Sequence, residues 1–303
     1  MIYLPIAEMP VNVLVVLLVS GVVGFVSGLV GVGGGFIMTP ALILLGIPSP
    51  VAVATGASQI AATSFSGMIS LARRKSVDWR MGLLLSIGGV AGSVSGVSLF
   101  HRLLEIGQLD LIISLCYIVL LALIGALMLT ESIAVINKRP NPSRAIFSRS
   151  ARGISHQLPF RMRFPRSGLY ISVIPPLVLG FFIGALAAIM GVGGGFILAP
   201  AMIYLLRMPT NVVIGTSLFQ ILVVTAFIVL LQASMTHTVD LVLSAILMLG
   251  GVIGAQLGAR LGARLRGEQI RAILGAILAA WSVKFLFDLV VTPSELFLLG
   301  SGA

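Results

Sequence analysis

The chain has 303 residues, of which 58% are hydrophobic and only 9% are charged, and its mean hydropathy is +1.14. Soluble domains carry about 25% charged residues, so this composition excludes a water-soluble protein and predicts an integral membrane protein. The net charge of +10 does not indicate nucleic-acid binding, because membrane proteins concentrate Lys and Arg in cytoplasmic loops. The sequence lacks the strand alternation of outer-membrane barrels, so an all-α membrane protein is predicted.

Ten hydrophobic segments follow one another along the chain. Most approach the ~20 residues that a spanning helix needs, but the second and the seventh are shorter. The segments are predicted at 11–30, 34–47, 50–72, 81–100, 109–135, 170–190, 194–206, 211–233, 240–259 and 269–291. They define a first membrane repeat, a basic cytoplasmic linker and a second membrane repeat, at 1–136, 137–168 and 169–303. The first ten residues contain no Lys or Arg, unlike the basic start of a signal peptide.

The two groups of five segments are copies of each other. The stretch GVGGGFI at 31–37 recurs at 191–197, and a proline follows each copy. Further along, VATGASQ aligns with IGTSLFQ, SVDW with TVDL, and GGVAGSVSG with GGVIGAQLG. The aligned pairs include Thr55 with Thr216, Gln59 with Gln220, Asp78 with Asp240 and Arg102 with Arg264. The chain is therefore an internal duplication.

An odd number of segments in each copy gives the two copies opposite orientations. If the N-terminus lies outside, all of the 19 Lys and Arg residues except Arg102 and Lys284 fall in cytoplasmic connections, as the positive-inside rule requires. The sequence thus predicts an inverted repeat with periplasmic termini. The short glycine-rich second segments either cross fully or return as re-entrant hairpins. Loop parity is the same in both cases, and short segments at matching places are typical of a transporter's binding site.

The repeated glycine cluster is not a nucleotide-binding loop, because the Gly-Lys-Ser/Thr ending of that loop is missing and Phe36 follows the glycines. Two interpretations remain open. The glycines either allow close helix packing and a tight turn, or they also expose N–H groups at a helix start that binds a small anion. The second interpretation predicts substrate contacts at Gly33, Gly34, Gly35, Gly193, Gly194 and Gly195.

The third segments carry polar side chains in both copies. Thr55 with Gln59, and Thr216 with Gln220, are four residues apart, so each pair shares one helix face. Hydroxyl and amide donors either ligate an oxyanion or bond neighbouring helices. With Ser58 and Ser217, these residues complete the predicted substrate site.

Acidic residues fit structural roles better than chemical ones. Asp78 and Asp240 stand at the starts of the fourth segments, where they are predicted to cap helices. No His, Cys and Glu cluster has metal-ligand spacing, and no nucleophile lies beside a base. We therefore expect no enzyme, no metal and no cofactor. Cys116, the single cysteine, lies in an apolar run and cannot form a disulfide within the chain.

These motifs resemble the sulfite exporter TauE/SafE family of membrane permeases. The matching residues are GVGGGF with Pro40 or Pro200, ATGASQ and GTSLFQ, and the later glycine pattern with Arg102 and Arg264. The resemblance covers nearly the whole chain except the linker. It implies movement of small sulfur-containing anions, such as sulfite or organosulfonates, across the bacterial inner membrane. It also implies that the glycine clusters and the Thr, Ser and Gln sets contact the substrate.

The hypothesis is a secondary transporter that moves a small anion by alternating access. A cation permease is less favoured, since the apolar segments offer few carboxylates. A third hypothesis is a membrane scaffold whose linker, with eight basic residues and no acid, recruits a partner or lies on anionic lipid. Membrane lipid and a small anion are the expected partners, and a homodimer is compatible with the sequence.

Overall fold

The computed structural model describes residues 2–30, 33–136, 161–206 and 208–262, and within the last predicted segment residues 276, 280, 282–284 and 287. The first copy contains β1 (Ile2–Leu4), β2 (Met9–Val11), α1 (Val13–Val30), α2 (Gly35–Leu44), α3 (Ser49–Arg73), α4 (Trp79–Ile106) and α5 (Leu109–Ile136). The second contains β3 (Arg161–Phe164), β4 (Leu169–Ser172), α6 (Ile174–Met190), α7 (Gly195–Tyr204), α8 (Thr210–Met235) and α9 (Leu241–Gly262).

The helices follow the hydrophobic segments of the sequence. Each of the first nine predicted segments corresponds to one helix, and the ends of segment and helix differ by a few residues. The tenth, 269–291, lies largely outside the described residues. Three described helices are long and apolar enough to cross a membrane, namely Trp79–Ile106, Val212–Met235 and Leu241–Leu261. The prediction of a helical membrane protein is confirmed.

One short β-hairpin precedes the helices of each copy, and the sequence analysis missed both hairpins. Strand β1 pairs antiparallel with β2, and β3 pairs antiparallel with β4. Their turns are equivalent, since Glu8 and Gly168 both have positive φ, at 53° and 63°. The second hairpin begins inside the range predicted as a linker, so residues 161–168 form a strand and a turn.

The first helix of each copy packs along the fourth helix of the other copy. Helix α1 runs beside α9 in the same direction, with Gly24 against Gly251 and Gly28 against the backbone of Ala255. Helix α4 runs beside α6 in the same way, with Gly92 against Phe181. A Cβ atom at these glycines would overlap with the neighbouring backbone, so small residues set the close approach of the helices.

The third helices of the two copies, α3 and α8, pack together at the centre and run in opposite directions. Gly67, near the end of α3, contacts Leu218, near the start of α8. Further along the chain, Ser76 lies against Gly215. Ile60, Ile221 and Leu218 form a buried apolar cluster between these helices. The two copies therefore share a core built around equivalent helices.

Candidate functional site

Residues Gly33–Phe36 of the first copy and Gly191–Phe196 of the second, here called the two glycine loops, meet at the centre of the protein. The Phe36 and Phe196 rings, one from each loop, pack with their centroids 5.7 Å apart at an interplanar angle of 48°. Gly35 of the first loop lies against the backbone of Val192 in the second. Gly33 and Gly193 both contact the side chain of Ile221. Gly33, Gly35 and Gly193 are thus brought together, whereas Gly34 and Gly194 face Ser27 and Ile183 of the preceding helices.

Each loop turns into a short helix through a left-handed glycine. Gly34 and Gly194 precede α2 and α7, and both have φ 71° and ψ −2°, a conformation that side-chain-bearing residues rarely adopt. The N–H groups of Ile37 and Ile197 bond to the carbonyls of these two glycines. Helix geometry leaves the N–H groups before them without an intrahelical acceptor. Two partially positive helix ends therefore face the same central region.

Two equivalent isoleucines fill the space between the loops. Ile60 on α3 contacts both Gly35 and Gly193, and Ile221 on α8 contacts both Gly33 and Gly193. Both side chains are buried. The glycines Gly33, Gly35 and Gly193 are consequently covered by apolar side chains in this conformation.

Hydroxyl groups one turn along from these isoleucines also approach the loops. Thr63 Oγ1 lies 3.5 Å from the carbonyl oxygen of Gly33, and Ser64 Oγ lies beside the same glycine. Thr225, which aligns with Ser64, contacts Gly193 through its methyl group. The sequence analysis missed Thr63, Ser64 and Thr225. A signal was available, because the alignment that pairs Thr55 with Thr216 also pairs the hydroxyl residues Ser64 and Thr225.

The predicted threonines hold the two copies together. Thr55 Oγ1 accepts the backbone N–H of Asp240 at 3.1 Å, and Thr216 Oγ1 accepts the backbone N–H of Asp78 at 3.0 Å. All four residues are buried. Each threonine therefore joins the third helix of one copy to the fourth helix of the other.

The two aspartates cap helices, as the sequence analysis predicted. Asp78 accepts the N–H of Met81 at the start of α4, and Asp240 accepts the N–H of Leu243 at the start of α9. Each aspartate also anchors a hairpin. Asp78 Oδ2 accepts the N–H and hydroxyl of Ser167, at 3.1 and 2.6 Å. Asp240 Oδ2 accepts the N–H of Ile6 at 3.1 Å.

The predicted serines bond within their own helices. Ser58 Oγ donates to the carbonyl of Thr55 at 2.6 Å, and Ser217 Oγ donates to the carbonyl of Ile214 at 2.9 Å. Gln59 reaches sideways to α1, where its Nε2 donates to the hydroxyl and the carbonyl of Ser20 at 3.0 and 3.3 Å. The donors of Ser58 and Gln59 are accordingly engaged with protein groups, and Thr55 Oγ1 serves as the acceptor for Asp240.

Gln220 differs from its equivalent, Gln59. It is fully buried, and neither amide atom has a hydrogen-bond partner within the described part of the chain. The reason lies in the repeat, because Gly180 stands where the first copy has Ser20. Gln220 packs against Gly89, as Gln59 packs against Gly251. The two amides occupy matching places, but only one has its partner.

The sequence-predicted site thus divides into two groups. Gly33, Gly35 and Gly193 converge at the centre, while the Thr and Gln side chains lie where helices of the two copies cross. Within the described ranges, no three His, Cys, Asp or Glu residues lie close enough to hold a metal ion.

Comparison with known proteins agrees with this architecture. The sequence model of the family described as "Sulfite exporter TauE/SafE" matches residues 16–285. The chain belongs to the sulfite exporter TauE/SafE family. The resemblance inferred from the glycine motifs is thereby confirmed.

Curated relatives of this TauE/SafE protein carry transporter names. A "Probable membrane transporter protein" of Xylella fastidiosa (strain Temecula1 / ATCC 700964) is 31% identical over 204 residues, 67% of each chain. The Bacillus subtilis (strain 168) proteins YunE and YjnA, both named "Probable membrane transporter protein", are 27% and 25% identical. They cover 75% and 89% of this chain, and 78% and 98% of their own lengths. No solved structure matches. The chain is a membrane transporter, and membrane transporters are not a class of enzymes.

Proposed function

We propose that this TauE/SafE protein is a secondary transporter that exports a small sulfur-containing anion, such as sulfite or an organosulfonate, across the bacterial inner membrane. The observation that carries the proposal is the meeting of two helix N-termini at the centre, where Phe36 and Phe196 pack 5.7 Å apart. Helix N-termini bind anions through backbone N–H groups without a charged side chain. Neutral donors suit a transporter, because a buried Arg would form a strong ion pair and slow release.

We infer that α2 and α7 are half-membrane helices rather than full crossings. Each has 10 residues, which at ~1.5 Å per residue gives about 15 Å, half of a ~30 Å hydrocarbon core. Their glycine-flanked N-termini then lie near the bilayer midplane. Transporters often bind anionic groups at the N-termini of such broken helices.

The two copies form an inverted repeat in this proposal. The opposite directions of α3 and α8 support it, as do the reciprocal pairs α1 with α9 and α4 with α6. The charge distribution gives the orientation. The basic residues Arg73, Arg74 and Lys75 precede Asp78, which binds the arginine-rich β3–β4 hairpin, and this end is assigned to the cytoplasm. The opposite hairpin, Ile2–Val11, contains Glu8 and no Lys or Arg.

Alternating access would require Ile60 and Ile221 to separate. In the present conformation both side chains are buried against the glycines of the two loops. A shift of α3 against α8 would withdraw one isoleucine and expose the helix ends to one side of the membrane. In this proposal the anion first contacts the glycines of the predicted site, Gly33–Gly35 and Gly193–Gly195, before it contacts the Thr, Ser and Gln set.

Flux through purified protein tests the function. Proteoliposomes containing the full chain are loaded with unlabelled sulfite under nitrogen, and uptake of labelled sulfite is followed. We expect saturable counterflow that competing sulfonates inhibit and that protein-free liposomes lack. Uptake of a divalent cation without any anion counterflow would support a cation permease and contradict the proposal.

The scaffold alternative is tested by replacing residues 137–160 with a Gly/Ser linker of equal length. The replacement stops before β3, so the β3–β4 hairpin and its bonds to Asp78 are preserved. A transporter keeps its counterflow after this change. Loss of counterflow in a normally inserted protein would mean that the linker itself carries the function.

A further inference from the structure

Ser64 presents a buried hydroxyl group that the fold does not use. Its exposed fraction is 0%, and its Oγ has no hydrogen-bond partner within the described residues. Ser58, Thr63 and Ser93 donate to carbonyls of their own helices, whereas the hydroxyls of Ser86 and Ser244 are, like that of Ser64, without a partner within the described residues. A buried donor left without a partner costs free energy, and Ser64 differs from Ser86 and Ser244 in lying against a glycine of the predicted substrate site.

The Ser64 hydroxyl faces the start of α2. A methyl group built on Gly33 would lie 3.3 Å from Ser64 Oγ, and Gly33 immediately precedes the N-cap residue Gly34. The hydroxyl therefore lies against the glycine that comes just before the helix start, where the first N–H groups have no intrahelical acceptor. Helix-start N–H groups donate, and a serine hydroxyl is able to donate as well as accept, so together they can supply hydrogen bonds to an oxyanion.

We propose that Ser64 Oγ and the N-terminus of α2 form an oxyanion subsite, in which both donate hydrogen bonds to one small sulfur oxyanion. The inference rests on the proposed function and deepens it, because it names a substrate contact that lies apart from the Thr and Gln set. The anion enters when Ile221 withdraws from Gly33, since Ile221 now contacts this glycine at 3.5 Å from the same methyl position.

The second copy holds a weaker version of the subsite. Thr225 aligns with Ser64, but its Oγ1 already donates to the carbonyl of Ile221 at 2.7 Å. Its methyl group, rather than its hydroxyl, faces Gly193. The first copy therefore binds the anion more tightly, and the two halves of the repeat are functionally unequal.

The test measures anion-dependent thermal unfolding of the full chain in detergent. Sodium sulfite, kept under nitrogen, and sodium methanesulfonate are compared with sodium chloride at matched ionic strength. We expect both sulfur oxyanions to raise the unfolding temperature of the wild type more than chloride does. Ser64→Ala should weaken their apparent affinity about tenfold or more, as expected for loss of a hydrogen bond to a charged group. Thr225→Val should change it little.

Ser86→Ala is the matched control, because Ser86 is also a buried serine whose hydroxyl has no partner in the described part of the chain. It lies on α4 and should leave the anion response unchanged. Ser64→Thr keeps the hydroxyl and should retain most of the wild-type anion affinity. This variant keeps the proposal testable if Ser64→Ala proves unstable. An equal anion response in wild type and Ser64→Ala would overturn the subsite and leave the proposed transport standing. No anion response in the wild type would count against both.

Discussion

The hydroxyl of Thr216 accepts the backbone N–H of Asp78 at 3.0 Å, across the boundary between the two copies. Thr55 does the same for Asp240, so the repeat uses this contact twice. Both threonines were expected to bind substrate, but the geometry ties them to the fourth helices. The start of each fourth helix is thereby held against the third helix of the other copy through the backbone N–H of its capping aspartate.

Replacing either threonine with valine should destabilise the protein by about 1–3 kcal/mol, because the buried Asp N–H loses its acceptor. Thr→Ser at the same position should recover most of the loss. Thermal or denaturant unfolding in detergent measures both changes. If Thr55→Val instead keeps wild-type stability and abolishes transport, the hydroxyl binds substrate and its bond to Asp240 is dispensable.

The two glutamines should respond differently to leucine. Gln59→Leu removes the bonds to Ser20 and should destabilise the protein by roughly 1–2 kcal/mol. Gln220→Leu should leave stability equal or higher, because its amide has no partner in the described chain and its removal relieves a buried polar group. Unfolding temperatures of the two variants test the difference, with counterflow measured in parallel. A larger loss for Gln220→Leu would contradict the assignment.

Asp78 holds the second hairpin, so Asp78→Ala should loosen it. Loss of the cap on α4 and of both bonds from Ser167 should cost roughly 2–4 kcal/mol. Trypsin cleavage after Arg163 and Arg166 should then accelerate, as followed by mass spectrometry. Asp240→Ala, which frees the opposite hairpin, is the control and should leave cleavage at those arginines unchanged. Equal acceleration in both variants would show general unfolding rather than local release.

Glycines one turn apart on α1 should tolerate alanine very differently. Gly24→Ala would force a methyl group into the backbone of Gly251 and should cost about 1–3 kcal/mol through overpacking. At Gly21 the nearest atom to such a methyl group is Gly250 O at 3.8 Å, so Gly21→Ala should be neutral or slightly stabilising. Unfolding temperatures of this matched pair test the packing of α1 against α9. Equal effects would contradict it.

The helices could be predicted because hydrophobic segments and the repeated motifs mark them twice. The caps at Asp78 and Asp240 were predictable for the same reason, since an acidic residue before an apolar run is a local signal. The hairpins were not, because strands of three and four residues carry too little alternation to be recognised.

The partners of polar side chains could not be read from spacing. Thr55 and Gln59 share a helix face, but Thr55 bonds to Asp240 at the start of α9 and Gln59 bonds to Ser20 in α1. Both partners are distant in the sequence. Ser64 carried no signal of its own beyond its alignment with Thr225. What a buried hydroxyl contacts depends on the crossing of helices, and this appears only once the copies are packed.

The most direct test of the central claim bridges the two glycine loops. In a Cys116→Ser background, Phe36→Cys and Phe196→Cys are joined by a short methanethiosulfonate bridging reagent, and sulfite counterflow is measured before and after reduction. If the starts of α2 and α7 move apart when Ile60 and Ile221 separate, the bridged protein is inactive and reduction restores transport, while each single cysteine variant treated alike stays active. Wild-type counterflow through the fully bridged protein would contradict the account.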